Sequence, residues 1–274
     1  MTNTNLENPE IILDINPGQL KDWAQESARF EPRPPAILPS RSAGLLGSIK
    51  AFVRNAPVVG PVLARLRGAP AEFKSSSDYW DKRYRNGGNS GAGSYNRLAE
   101  FKAGFLNDFV DGHQVASVIE FGCGDGAQLK LSRYPKYIGV DVSAKAVEMC
   151  RIVFAGDASK RFFASGEVPP GTVADTALSL DVIYHLVEDQ VFEGYVRQLF
   201  ESARRFVIVY SSNIDESWPD AHVRHRNFTS WVEQHEPEWR MISTLKNAYP
   251  WNPADPGQTS FADFYVFARE AATA

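Results

Sequence analysis

The apolar residues of this chain follow two repeats, and the switch between them marks out its elements. Leu98, Phe101, Phe105, Leu106 and Phe109 recur at helical spacing, and "ASVIEF" directly after them reads as a buried strand ending in the glycine turn "GCGDG". "YIGVD" predicts a second strand, and "SAKAVEMCRIVF" a helix that Ser143 can cap. "RFFA", "DTALSL" and "RFVIVYS" predict three more strands, with a helix across "VEDQVFEGYVRQLFESA" between the last two. After a helix over "NFTSWVEQH", the segments "EWRMISTLKN" and "SFADFYVFAR" alternate apolar and polar positions. A proline-rich turn joins them, so they predict an antiparallel pair. Strands that alternate with helices require a parallel sheet covered on both faces. The expectation is an α/β fold with seven strands, mostly parallel, ending in an antiparallel pair.

Residues 1–75 have a different character, which predicts an N-terminal extension followed by one domain over 76–274. Seven of the 17 prolines fall between 32 and 70, and "EPRPPAILPS" reads as an extended linker. Leu45, Leu46, Ile49, Phe52 and Val53 share one side of a short helix that Pro57 ends. Residues 32–71 hold six basic residues and no acid, which leaves 23 basic against 33 acidic residues elsewhere, a net charge of −10. So acidic a remainder would repel a phosphate backbone, which argues against nucleic acid as a partner. The basic amphipathic segment either lies on an anionic membrane, docks on a protein partner, or packs its apolar side on the domain. No secretory leader or membrane span is legible, and Cys123 and Cys150 have no paired-ligand spacing, so a reducing cytoplasm is the expected location.

The turn "VIEFGCGDGAQL" poses the functional question: it lets a ligand approach the backbone closely, and the helix expected to follow it offers unpaired N–H groups at its start. Gly122, Gly124 and Ala127 satisfy G-x-G-x-x-A, and Asp141 falls near the distance at which an acid meets a ribose, so a nicotinamide dinucleotide fits the spacing. The acids Glu120 and Asp125 point the other way. They would repel a pyrophosphate and attract a ligand with a sulfonium and an amino group.

"VIEFGCGDG", "YIGVDVS" and "ALSLDVIYHLVED" together resemble the class I S-adenosylmethionine-dependent methyltransferases over about residues 78–270. "GAGSYNRLAEFKAGFLNDFV" and "HVRHRNFTSWVEQ" resemble, less specifically, bacterial methyltransferases of glycan and small-molecule synthesis. The resemblance implies a Rossmann-like fold and S-adenosyl-L-methionine as cofactor. It implies that Gly122, Gly124 and Gly126, with Glu120, Cys123 and Asp125 in the same motif, line the methionine part. Asp141, with Val142 beside it, would hold the ribose, and Leu180 and Asp181 would border the methyl. Many relatives bind adenine through an acid after the third strand; here "FFASGEVPP" offers Ser165 or Glu167 instead.

An alcohol acceptor must lose a proton, and His185, just past the fourth strand, is the candidate base, with Asp181 next to consider. Tyr184 beside it reads as packing or as part of the acceptor pocket. His222, Arg224, His225 and Arg226 in "HVRHR" form either a pocket for an acidic acceptor or a solvated stretch. Tyr95 and Arg97 follow a run in which seven of eight residues, 87–94, are Gly, Ser or Ala. That run predicts a mobile flap, with Arg97 on the cofactor carboxylate and Tyr95 over the methyl, or both residues simply starting a helix. His113 and His235 read as surface residues. No metal-ligand spacing is recognisable; Asp181, Glu188 and Asp189 are the acids that could share a magnesium ion.

These features predict an S-adenosylmethionine-dependent O-methyltransferase of a sugar, glycan or related small hydroxylated metabolite, with no nucleic-acid partner. The rival readings are an NAD(P)-dependent oxidoreductase and a non-catalytic subunit that docks a biosynthetic partner through residues 32–71.

Overall fold

The structure, a computed structural model, describes residues 73–270. The proline-rich and amphipathic segments read from the sequence lie outside the described residues. In order, the elements are α1 (Ser76–Arg85), α2 (Asn96–Gly112), β1 (Val118–Phe121), β2 (Tyr137–Asp141), α3 (Ala144–Val153) and β3 (Lys160–Ala164). β4 (Ala174–Leu180), α4 (Asp189–Glu201), β5 (Ala203–Ser211), α5 (Phe228–His235), β6 (Trp239–Leu245) and β7 (Asp263–Arg269) follow. The strand order is β3-β2-β1-β4-β5-β7-β6, parallel except for β7, which pairs antiparallel with both β5 and β6. This is the mostly parallel sheet with an antiparallel terminal pair that the apolar pattern predicted, in the Rossmann-like form that the resemblance implied.

The period-2 alternation sorts side chains to the two faces. Phe206, Ile208 and Tyr210 of β5 pack with Phe264 and Val266 of β7 against Phe101, Phe105 and Phe109 of α2. On the opposite face Val207 and Val209 join Tyr265 and Phe267, under Phe192, Val196 and Leu199 of α4 and Phe228 of α5. Ser143 caps α3 by accepting from the Ala146 amide. No helix of the described residues is long and apolar enough to cross a membrane.

Two features depart from the sequence reading. The glycine turn is followed not by an α-helix but by a four-residue 3₁₀ turn, Gln128–Leu131. Only 15 residues join β1 to β2, and Pro135 stands just before β2, so there is no room for several helical turns. The second is α1, which the apolar pattern did not single out. Ser75 caps it through the Asp78 amide, and its start is tied to the loop before α4. There the Ser76 amide and hydroxyl donate to Glu188 at 2.9 and 2.6 Å. The helix thereby lies over the carboxyl ends of the strands.

Candidate functional site

At those strand ends a cleft of about 280 Å³ opens between the glycine turn, the end of β2, the loop after β4 and α1. Gly122 has φ +86°, and a Cβ there would stand 2.3 Å from the Val182 Cγ2 atom, so only glycine lets the turn pass under the loop after β4. Gly124 (φ +58°) makes room for the protein itself: a Cβ there would fall 2.2 Å from the Ser90 hydroxyl.

Asp141 is buried at the cleft wall. Its Oδ2 accepts from the Gly124 amide and its Oδ1 from the Ser143 amide, each at 2.9 Å. Burial pushes its carboxyl up to about 6, against the two backbone donors that pull it down. Each oxygen keeps a further lone pair, the requirement for accepting two vicinal hydroxyls. Val142, Leu180 and Ser165 also line the cleft. Glu167 turns outward to the Arg151 guanidinium at 3.2 Å, so of the two adenine candidates only Ser165 faces the cavity. Among the described residues neither lysine nor arginine lines the cleft, while Asp141 and Asp181 do. On that lining a pyrophosphate would meet carboxylates and no cation.

Several residues of the turn motif serve the fold. Glu120 is buried inside the sheet's face and accepts from the Tyr137 hydroxyl at 2.6 Å, away from the cleft lining. Its carboxyl is pushed up to about 7 by burial. Asp125 likewise does not line the cleft. It accepts from the Tyr95 hydroxyl at 2.6 Å and the Ser90 amide at 3.1 Å, and these donors outweigh its burial and hold its carboxyl below the ordinary range. The segment read as a mobile flap is thus pinned across the turn, and the Ser90 hydroxyl accepts from the Asp125 amide in return. Gly126 approaches α3, where a Cβ would come 2.8 Å from the Phe154 ring. Cys123 and Cys150 are buried free thiols beside the Gly124 carbonyl.

Arg97 does not turn to the cleft. It donates to the Gln258 carbonyl at 2.6 Å, stands 3.6 Å from Asp255 and covers the Tyr249 ring. Tyr95 is consumed by Asp125.

A second cavity of about 430 Å³ adjoins the first and shares Trp80, Ser90, Asp181 and His185 with it. Its walls are aromatic: Tyr79 and Trp80 from α1, Tyr184 after β4, and Trp218, Trp251 and Phe261 from the loops around β5 and β7. His185 lies between Trp80, with ring centroids 4.9 Å apart, and the stacked ring of His222 at 5.4 Å. Its Nδ1 is 3.0 Å from the His222 carbonyl, which fixes Nδ1 as the protonated nitrogen and leaves Nε2 as an acceptor. Burial lowers its pKa to about 4, so the ring is neutral at physiological pH.

Of the "HVRHR" cluster, His222 and Val223 line this cavity. Arg224 and Arg226 bind Asp189 at 3.1 and 2.7 Å and the carbonyl of Val187, and His225 is buried behind the wall against the Ser212 hydroxyl. Asp189, at the start of α4, and the carbonyls just before it hold both arginines, so Arg224 and Arg226 do not form the acceptor pocket read from the cluster; Arg83 of α1 is the arginine that lines the cavity. Glu188 and Asp189 are thereby committed to Ser76 and the arginines, away from Asp181. Among the described residues no cluster of three His, Cys, Asp or Glu side chains is placed to hold a metal. His235 is exposed, whereas His113 is half-buried and stacks on Phe109 at 4.2 Å, so only the first is a surface residue.

The sequence reading missed Lys102. It is 1% exposed, and its Nζ stands 2.6 Å from the Asp181 Oδ2. Its position among Leu98, Phe101, Phe105 and Phe109 carried the signal, a charge on the apolar face of a helix. It also missed Trp80 and Tyr84 of α1, one helical turn apart.

The sequence matches the family model of a methyltransferase domain over residues 94–247. A comparison with curated protein sequences finds no significant match. Among solved structures, the N-methyltransferase NodS from Bradyrhizobium japonicum WM9, in complex with S-adenosyl-L-homocysteine, is similar at 12% identity. The match covers 72% of this chain and 100% of that one, with a TM-score of 0.56. Magnesium protoporphyrin IX methyltransferase (ChlM) from Synechocystis PCC 6803, with bound S-adenosylmethionine, is similar at 16% identity. That match covers 74% of this chain and 100% of the other, with a TM-score of 0.51. At these identities the likeness is one of fold.

Proposed function

The chain belongs to the methyltransferase-domain family, and from that premise we propose that it transfers a methyl group from S-adenosylmethionine to a hydroxyl of a sugar, glycan or related small metabolite. The observation that carries the cofactor is the buried Asp141 carboxylate in a cleft that no described lysine or arginine lines. The residues fit the group: Asp141 would hold the ribose hydroxyls, Gly122 and Gly124 the backbone of the turn beside the methionine part, and Val142, Leu180 and Ser165 the adenine side. When bound, S-adenosylmethionine supplies an electrophilic methyl on a good leaving group. An oxidoreductase is disfavoured by the same cleft, whose described lining offers a pyrophosphate no cation.

The second cavity is the acceptor site in this reading. It meets the cleft at Asp181 and His185, where an acceptor atom and the methyl must come together. Aromatic walls suit the flat apolar faces of sugar rings. Arg224 and Arg226 are drawn off to Asp189, and the lining sets two acids, Asp181 and Asp220, against one arginine, Arg83, which favours a neutral acceptor over the acidic one the sequence suggested. The neutral His185 ring would take the acceptor's hydroxyl hydrogen at Nε2, while the His222 carbonyl steadies Nδ1–H.

Calorimetry with S-adenosylhomocysteine and with NAD tests the cofactor. Binding of NAD, and none of S-adenosylhomocysteine, would overturn it. Mass spectrometry of neutral and acidic glycans incubated with protein and S-adenosylmethionine tests the acceptor, for which a gain of one methyl on a neutral glycan is expected.

A further inference from the structure

The two cavities meet at a carboxylate held in place on all sides. Asp181 is a non-glycine residue with φ +60°, a conformation that costs energy and is kept where the surroundings enforce it. Its amide donates to the Tyr210 carbonyl at 2.9 Å, the Tyr184 hydroxyl donates to Oδ1 at 2.8 Å, and the Lys102 ammonium donates to Oδ2 at 2.6 Å. Gly93 packs so closely that a Cβ there would come 2.6 Å from Oδ2. The pair is also asymmetric: the Lys102 side chain is 1% exposed, behind the carboxylate, while that of Asp181 is 15% exposed and lines both cavities. Any group at the junction therefore meets the negative end of the pair first.

Two buried charges are a poor way to gain stability, because apolar side chains of similar volume commonly do as well. Their place at the junction suggests another use. If the cleft holds the cofactor and the second cavity the acceptor, the methyl-bearing sulfur faces the junction. We infer that Asp181 is the residue that distinguishes the cationic cofactor from its neutral demethylated product, drawing in the sulfonium and releasing the sulfide. Lys102, Tyr184 and Gly93 fix its position. This inference rests on the reading of the cleft as an S-adenosylmethionine site.

The test needs no acceptor. Titration calorimetry would compare S-adenosylmethionine, S-adenosylhomocysteine and sinefungin, the analogue with an ammonium group where the cofactor has its methylsulfonium. Wild type should hold both cations about five- to tenfold more tightly than S-adenosylhomocysteine, the scale of one charge-assisted contact. In Asp181→Asn the preference should vanish or reverse, because Lys102 is then unscreened, while S-adenosylhomocysteine binds much as before. Asn adopts the left-handed conformation as readily as Asp, so the backbone is preserved. Should that variant fail to fold, Lys102→Met/Asp181→Asn removes both buried charges, and the three ligands should then bind alike. A preference that survives in these variants, or a wild type that binds all three equally, overturns the inference. A wild type that binds none of them overturns the cofactor reading itself.

Discussion

Replacing Asp141 by Asn probes the cleft at its most constrained group. Both carboxylate oxygens already accept a backbone amide at 2.9 Å, from Gly124 and from Ser143. An amide side chain offers one oxygen, so one of these N–H groups would face an NH₂ that cannot accept. A buried donor left in that state costs about 1–3 kcal/mol, and the loss falls on the glycine turn or on the start of α3. Asp141→Ala loses both amide contacts, so it too should lower the melting temperature. Loss of charge-assisted bonds to the ribose hydroxyls adds about 1.5–3 kcal/mol, or roughly a ten- to hundredfold loss of S-adenosylhomocysteine affinity at pH 8. The wild type should also respond to acid. Its carboxyl is raised from 3.8 to about 6, so the group favours the folded state most below 3.8, and that contribution is lost as pH rises through 6. Ligand binding works in the opposite direction, because only the ionised form accepts both hydroxyls. At pH 5 about one molecule in ten is ionised, so affinity should fall about tenfold from its value at pH 8, with proton release on binding. Calorimetry in buffers of different ionisation enthalpy reads both quantities. A variant that binds like wild type, with the same pH profile, would refute the ribose assignment.

Three further outcomes are expected. Glu120→Gln keeps an acceptor for Tyr137 and removes a carboxyl raised from 4.5 to about 7. It should match wild type near pH 5 and exceed it by about 1–3 kcal/mol at pH 8, by thermal or urea unfolding at each pH. His185→Ala should lower turnover by about 10²–10⁴-fold with S-adenosylhomocysteine affinity little changed. With a pKa of about 4 the histidine is already neutral, so the wild-type rate should show no histidine step between pH 6 and 8, contrary to the rise that an unperturbed imidazole would give. Single-turnover rates against pH read this, and a step near 6.5 that disappears in the variant would contradict the buried, neutral ring. Deletion of residues 1–72 should leave S-adenosylhomocysteine affinity intact, since the strands and the residues Gly122, Asp141 and Leu180 that build the cleft all lie after residue 75; loss of the circular dichroism signal would place the deleted residues in the core.

The elements that depend on neighbours along the chain were legible. The seven strands follow from period-2 and continuous apolar runs, and Asp141 stands at a strand end whose position relative to the glycine turn is set by β1–β2 pairing. Gly122 was readable as a turn residue because its positive φ is a local demand. Partners decided the rest. Arg224 and Arg226 look like an anion site in the sequence, yet Asp189, more than thirty residues earlier, takes them both. Glu120 and Asp125 look like ligands for a cation, yet Tyr137, Tyr95 and Ser90 occupy them. The helix expected after the turn gave way to a 3₁₀ turn because the connection was too short. Lys102 meets Asp181 across 79 positions, and the aromatic cavity gathers α1 with loops near the other end of the chain. A pattern of residue types fixes which backbone forms and which side it buries. Which polar groups remain free for a ligand depends on who else reaches them, and only the packed sheet, with its loops brought to one edge, decides that.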